Sequence, residues 1–170
     1  MLRKLSALFG LLLLAAVFFA LPILGASEKH VASDTSESLQ SIGGVQSNNL
    51  DNLIAAFGCD VPNDRAGGIG VVEDAVLGSL NARILRWQRD NGLVISAVRP
   101  ASAAQLLRED GLELDPQHVW TVGGAGLITA TGTRGSCAYY ATDDAAYSLF
   151  LAGADTDALL SAVAILSFPH

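Results

Sequence analysis

A tight hairpin near the middle of the chain is the feature that most constrains the fold. Residues 82–89 and 93–99 suit strands, and Asp-Asn-Gly separates them at residues 90–92. The Asn-Gly pair supplies the positive φ values that a tight turn requires. Pro100 ends the second strand because it has no N–H to donate to a ladder. The sequence therefore predicts an antiparallel pair of strands here.

Short apolar runs separated by glycine or aspartate predict further strands after this hairpin. Helices are expected at three places. Leu50, Leu53, Ile54 and Phe57 recur at helical spacing, with an asparagine before them and Gly58 to end the helix. Strong helix formers follow Pro100, and Asp155 can cap a last helix. This pattern predicts an α+β fold, an antiparallel meander sheet packed with about three helices. The predicted strands are 69–73, 119–122, 127–131, 137–141 and 147–151, and the predicted helices are 49–58, 102–110 and 158–166.

An apolar segment begins the chain. Arg3 and Lys4 precede residues 5–27, which carry no charge. A helix of that length reaches roughly 34 Å, enough to cross a bilayer core. The small residues that end it, Gly-Ala-Ser at 25–27, also suit a signal-peptidase site. The sequence leaves a cleaved signal peptide and a retained N-terminal anchor helix open, and both place the rest of the chain outside the cytoplasm.

The chain divides into three parts by composition. Residues 1–27 are the signal peptide or membrane anchor, and residues 28–47 are polar and Ser-rich, which is typical of a flexible spacer. Residues 48–170 are long enough for one extracytoplasmic α+β domain. Without Arg3 and Lys4, eight basic and 17 acidic residues remain, a net charge of −9. This charge disfavours nucleic acid and broad adhesion to anionic membranes, so the expected contact with a membrane is the N-terminal segment, if that segment is not cleaved.

Two cysteines are present, Cys59 and Cys137. Outside the cytoplasm a pair of thiols tends to oxidise, so the sequence predicts a disulfide between them. The alternative is two buried free thiols that pack as small hydrophobic groups.

No motif for a catalytic centre, a metal or a cofactor is present. The glycines at 67–70 lack the Lys-Ser or Lys-Thr of a phosphate loop, so they are interpreted as the entry to a strand. Asp143 and Asp144 lie between two predicted strands, where adjacent carboxylates are usually turn formers. Together with His118 and Asp115, they are the candidate residues if the chain is a small hydrolase.

Four arginines and a tryptophan on the predicted hairpin form the candidate binding residues. Strand periodicity places Arg83, Trp87 and Arg89 on one face and Arg86 on the other, while Arg99 belongs to the second strand. One interpretation is that these arginines pair with the abundant acids and shield an edge strand. The other is a site for an anionic peptide or an envelope polymer.

Three segments carry a family resemblance: residues 81–100, the predicted helix after Pro100, and residues 147–153 followed by 157–160. In the last of these, a strand with a Tyr-x-Leu pattern leads through an acidic turn into the final helix. The region from about 48 to 168 resembles the extracytoplasmic sensor domain of bacterial transmembrane anti-sigma-factor-type proteins. Those proteins also carry a cytoplasmic zinc-binding domain that holds the sigma factor. Only a few residues precede the apolar segment here, so the resemblance implies a sensor-like domain without that effector.

The function expected from these observations is a non-enzymatic domain of the bacterial envelope, in the periplasm or at the cell surface, that binds or senses a protein or envelope ligand. Two alternatives stay open, a small extracytoplasmic hydrolase of unrecognised type and a lipid-carrying periplasmic domain. An enzyme is the less favoured class because no catalytic constellation is visible.

Overall fold

A single antiparallel sheet of eight strands dominates the fold. The computed structural model describes residues 42–169, and the strand order in the sheet is β1-β2-β3-β4-β8-β7-β6-β5. Two α-helices and one 3₁₀ helix accompany the sheet. The elements are β1 Ile42–Ser47, α1 Leu50–Phe57, β2 Gly68–Leu77, β3 Leu80–Arg89, β4 Leu93–Arg99, the 3₁₀ helix Ala101–Leu107, β5 Glu113–Val122, β6 Ala125–Gly132, β7 Gly135–Ala141, β8 Ala146–Ala152 and α2 Thr156–Val163.

The local signals in the sequence place several elements correctly. Residues 90–92 join β3 to β4, and Gly92 has a φ of 86°, whereas Asn91 does not have the positive φ that was expected of it. Asn49 caps α1 by accepting a hydrogen bond from the N–H of Asp51, and Gly58 ends the helix in the left-handed conformation. Asp155 caps α2 by accepting from the N–H of Ala158. The predictions of this hairpin and these two helices are confirmed.

Two four-stranded meanders, β1–β4 and β5–β8, join at the centre of the sheet. β4 pairs with β8, with Ile95 opposite Leu149 and Ala97 opposite Tyr147. The chain leaves β4 through the 3₁₀ helix and crosses to the far edge, where β5 begins. It then returns strand by strand to the centre. This arrangement buries β4 and β8 between neighbours and leaves β1 and β5 as the two edges.

Each face of the sheet has its own core. The side covered by α1 and α2, here called the helix face, buries Leu53, Trp87, Tyr147 and Leu159. The opposite side, here called the 3₁₀ face, packs against the 3₁₀ helix. Side chains alternate between these faces along every strand. The buried residues of the 3₁₀ face include Ile84, Val98, Leu107, Ile128, Cys137 and Tyr139.

The prediction of an α+β fold with about three helices is wrong. The chain is mostly antiparallel β-sheet, and the predicted helix after Pro100 is a seven-residue 3₁₀ helix. The sheet is also larger than predicted. The edge strand β1 was not predicted, and the other edge strand, β5, was predicted only over residues 119–122. β5 is exposed along almost its whole length and contains Pro116, so it lacks the alternation that marks a half-buried strand.

β1 falls within residues 28–47, which the sequence assigns to a spacer. Val45 and Gln46 pair with Val72 and Val71 of β2. The rest of the predicted spacer and the predicted apolar helix over residues 5–27 lie outside the described residues. Among residues 42–169, no helix is both long enough and apolar enough to span a membrane.

The predicted disulfide between Cys59 and Cys137 is wrong, and both cysteines are free. Cys59 follows α1 and packs against the core of the helix face, whereas Cys137 is buried in the core of the 3₁₀ face. The sheet therefore separates the two thiols. Burial raises the pKa of Cys137 to about 12, so its thiol stays protonated and uncharged at neutral pH.

Candidate functional site

A cleft with charged walls lies beside the C-terminal end of α1. It has a volume of about 590 Å³ and is bounded by the ends of α1, β3 and β4 and by the β7–β8 turn. We call it the arginine–aspartate cleft. Its charged lining residues are Asp74, Arg83, Arg99, Asp143 and Asp144, and its apolar lining includes Phe57, Val76 and Pro100.

Arg83 lines the cleft and is held there by two partners. Asp74 lies directly opposite it in the β2–β3 ladder, and the two form a two-pronged pair with nitrogen–oxygen distances of 2.7 and 3.2 Å. A third N–H, on Nη1, donates to the carbonyl oxygen of Ala56 at 3.0 Å. Because of the hydrogen bond from Arg83, the pKa of Asp74 lies below its usual value.

Arg99 lies opposite Arg83 on the neighbouring strand and binds the same helix end. Its Nη1 donates to the carbonyl oxygens of Phe57 at 3.3 Å and Gly58 at 2.9 Å. Cations are favourable at a helix C-terminus, where carbonyl groups lack helical partners. A Cβ atom on Gly58 would lie 2.5 Å from Nη1 of Arg99, so a side chain there would displace the guanidinium.

The remaining donors of Arg99 have no carboxylate partner among residues 42–169. Each ion pair in that part of the chain involves another cation, and no acid lies within 4.0 Å of the Arg99 guanidinium. Because Nη1 makes both hydrogen bonds to the helix end, Nε and Nη2 retain three N–H groups. Arg99 is thus fixed by one nitrogen and lines the cleft with free donors.

Asp143 and Asp144 also line the cleft. Both side chains are exposed, and neither has an ion-pair partner in the described part of the chain. The turn that carries them is ordered by Thr142, whose backbone N–H donates to the carbonyl oxygen of Ala145 at 2.9 Å. The hydroxyl of Thr142 accepts from the N–H of Ala145 at 3.3 Å. The two carboxylates are therefore presented on a closed turn.

Cys59 lies near the cleft, and two charged residues that line the cleft affect the pKa of its thiol. It lines a neighbouring cavity of about 450 Å³, which shares Asp144 with the cleft. Burial raises the pKa of the Cys59 thiol, Arg99 opposes that rise, and Asp144 and Asp60 add to it. The net rise keeps the thiol protonated at neutral pH, so Cys59 is a poor nucleophile here.

The structure divides the predicted binding residues of the hairpin among three environments. Arg83 and Arg99 line the cleft. Arg86 is exposed on the 3₁₀ face, 3.8 Å from Glu73. Trp87 is only 1% exposed and packs in the core of the helix face, where it contacts the glycines of β2.

Arg89 is buried at the turn end of the hairpin. Its side chain is 3% exposed and forms an ion pair with Asp64, in the loop after α1. Its Nη1 makes no hydrogen bond within the described residues. This arginine fixes the loop to the sheet and is inaccessible to a ligand.

The candidate residues for hydrolysis do not come together. His118 and Asp115 lie on edge strand β5, where the Nδ1 atom of the imidazole is 2.7 Å from the Oδ2 atom of the carboxylate. This contact lowers the pKa of Asp115. Asp143 and Asp144 lie in the cleft, whose lining includes neither residue of that pair. Within residues 42–169, no three side chains of His, Cys, Asp or Glu are grouped so that they could hold a metal ion.

The sequence did not indicate two parts of the cleft. Asp74 was missed because the predicted strand stopped at residue 73, although β2 continues to Leu77. A longer β2 would have placed Asp74 opposite Arg83 by register. The contact of both arginines with the end of α1 had no local signal, since it joins residues 27 and more positions apart.

Comparison of the chain with protein-family models, curated proteins and solved structures finds no match.

Proposed function

We propose that this chain is a ligand-binding domain of the envelope and that the arginine–aspartate cleft is its binding site. The ligand carries an anionic group, which binds Arg99, and a cationic group, which binds Asp143 and Asp144. Short peptides with free ends have this chemistry. The proposal keeps the class expected from the sequence, binding or sensing without catalysis, and gives it a site.

The proposal rests on how Arg99 is held, with Nη1 bound to the end of α1 and its other donors free within residues 42–169. A guanidinium that is already fixed by its contacts with Phe57 and Gly58 loses little conformational entropy when a ligand binds. Its free N–H groups can accept a planar carboxylate in the two-pronged manner that arginine favours. Arg83 differs because Asp74 already occupies that position.

The acidic residues of the cleft, Asp143 and Asp144, support a ligand of mixed charge. Two exposed carboxylates without partners in the described chain would repel a purely anionic molecule and attract an ammonium group. The volume of about 590 Å³ is in the range of small-ligand sites. Phe57, Val76 and Pro100 add an apolar surface for a side chain of the ligand.

The proposed location outside the cytoplasm depends on the uncharged residues 5–27 behind Arg3 and Lys4. Ligand binding in the envelope is also compatible with the resemblance to sensor domains.

The two alternative functions receive less support from the described residues. A hydrolase would need His118 near the acids of the cleft, and His118 lies on the edge strand. The cleft and three further cavities among residues 42–169 all have charged side chains in their linings, which an acyl chain would avoid.

Calorimetric titration with alanyl-alanine tests the proposal, together with two derivatives that each lack one charge. The N-acetyl form has no ammonium group, and the C-terminal amide has no carboxylate. We expect binding of the free dipeptide and a loss of about tenfold in affinity for each derivative. Equal binding of all three forms, or no binding of the free dipeptide, would contradict the proposal.

Variants with matched charge changes locate the site. The double substitution Asp143→Asn and Asp144→Asn should abolish the preference for the ammonium group. The control is Asp90→Asn with Asp110→Asn, which removes two exposed charges outside the cleft. To test recognition of the ligand's carboxylate, Arg99→Gln is compared with Arg86→Gln. The first should weaken binding of alanyl-alanine and the second should not. If both members of either matched pair weaken binding equally, the cleft is not the site.

A further inference from the structure

The outer edge of β5 has backbone groups available for pairing. β5 is the last strand of the sheet and pairs only with β6 among the described strands. An edge strand presents a row of N–H and C=O groups to its surroundings. The hairpin that joins β5 to β6 determines which residues of β5 present these groups.

The turn between β5 and β6 fixes the direction of these groups. Gly123 and Gly124 have φ values of 56° and 87°, as a two-residue type I′ turn requires. In such a hairpin the closing pair, Val122 and Ala125, exchanges hydrogen bonds, and alternate pairs along the ladder do not. The N–H and C=O groups of Thr121 and Val119 therefore point away from β6.

The regular part of this edge is short. The register shifts between Asp115 and Val119, where Pro116 and two further residues bulge from the ladder. Bulges and proline protect the remainder of the edge from pairing. The open segment is Val119–Val122, about 13 Å long. Two large side chains on it are exposed, Val119 at 41% and Trp120 at 39%.

Charge indicates what can pair with this segment. Strands β5 and β6 contain two acidic residues and no Lys or Arg. Glu113 and Asp115 are exposed on β5 itself. An extended peptide with basic residues is therefore attracted to this edge. A second copy of the chain carries the same excess of acids and is disfavoured.

We propose that the edge segment Val119–Val122 binds an extended basic peptide, which adds to the sheet as a ninth strand beside β5. Main-chain hydrogen bonds from Val119 and Thr121 hold the peptide, and its basic side chains lie near Glu113 and Asp115. Trp120 becomes covered by the added strand. This inference is independent of the arginine–aspartate cleft, whose lining includes residues of β2, β3 and β4 and none of β5.

Tryptophan fluorescence of the full-length chain tests it directly. The chain has two tryptophans, and Trp87 is already buried, so a change in emission reports Trp120. The probe is the end-blocked peptide Arg-Thr-Val-Thr-Val-Lys, compared with Glu-Thr-Val-Thr-Val-Asp. We expect a blue shift with the basic peptide that weakens as salt is added. The acidic peptide should give none.

Thr121→Pro removes the outward N–H without removing a bond to β6, so it should weaken binding by about tenfold. Thr121→Val keeps the N–H and should bind as the parent does. A thermal unfolding curve for each variant establishes that the fold is intact. The proposal is overturned if the two variants bind alike, if the acidic peptide binds as well, or if sedimentation shows that β5 is covered by a dimer before any peptide is added.

Discussion

The two ends of the β3–β4 hairpin use arginine in opposite ways. At the turn end, Arg89 is buried and its charge is matched by Asp64. At the open end, Arg99 is only partly buried and binds the backbone carbonyls of α1. Both arginines lie on the helix face of the same two strands. The partner therefore decides the role: the carboxylate of Asp64 pairs with the buried guanidinium and fixes a loop, whereas helix carbonyls orient the guanidinium of Arg99 and leave donors for a ligand.

The turn end should give the largest loss of stability. Asp64→Asn leaves the buried guanidinium of Arg89 without its counter-charge, and removing one partner of a buried ion pair costs about 3 kcal/mol or more. Urea unfolding measures this loss, with Asp90→Asn as the exposed control. A loss below about 0.5 kcal/mol, which is typical of a surface site, would show that Arg89 is not fixed in this way.

The open end should tolerate change better. Arg99→Lys keeps the charge but cannot make both hydrogen bonds to Phe57 and Gly58, so we expect a loss of about 1 kcal/mol. Affinity for alanyl-alanine should fall more than stability does, because lysine lacks the planar fork. The comparison between the two ends fails if this variant is destabilised as strongly as Asp64→Asn.

The pair of Asp74 and Arg83 should produce a small effect that depends on pH. The pKa of Asp74 lies below 3.8 in the folded state because Arg83 donates hydrogen bonds to it. Its contribution to stability is therefore present above pH 3.8 and is lost as pH falls through the lower folded-state pKa. In Arg83→Gln, a carboxyl titration by NMR should give a pKa for Asp74 close to 3.8. An unchanged, low pKa in that variant would refute the assignment.

The smallest effect is expected on the 3₁₀ face. Arg86 is exposed and lies 3.8 Å from Glu73, a distance at which surface pairs contribute little. Arg86→Gln should change the free energy of unfolding by less than about 0.5 kcal/mol. A larger loss in urea unfolding would mean that this arginine also has a structural partner.

Local patterns predicted the fold where the chemistry itself is local. The Asn-Gly turn, the cap at Asp155 and the helical spacing of Leu50 and Phe57 each act within a few residues. Edge strands carry no such signal, because β5 is exposed on both faces and its residues need not alternate. The pairing of β4 with β8 joins distant residues, so the sequence did not show it. The prediction of a disulfide was wrong because the sheet lies between the two cysteines, which the sequence alone did not show.

The site could be predicted only in pieces. Arg83 and Arg99 were candidates for binding, and Asp143 and Asp144 were candidates for hydrolysis, but nothing linked the two sets. The tertiary fold links them, because α1 packs across β1, β2 and β3 and its end binds Arg99 of β4, while the β7–β8 turn lines the same cleft. Strand periodicity did indicate that Arg86 faces away from the others.

An NMR titration of the isotope-labelled full-length chain with alanyl-alanine is the most direct test of the cleft as a binding site. Two sets of backbone amides are compared, residues 57–59 with 142–145 at the open end and residues 89–92 at the turn end. We predict that the first set shifts, that the second does not, and that Arg99→Gln removes the shifts while Arg86→Gln preserves them. Shifts confined to residues 89–92, or no shifts in either set, would contradict the account.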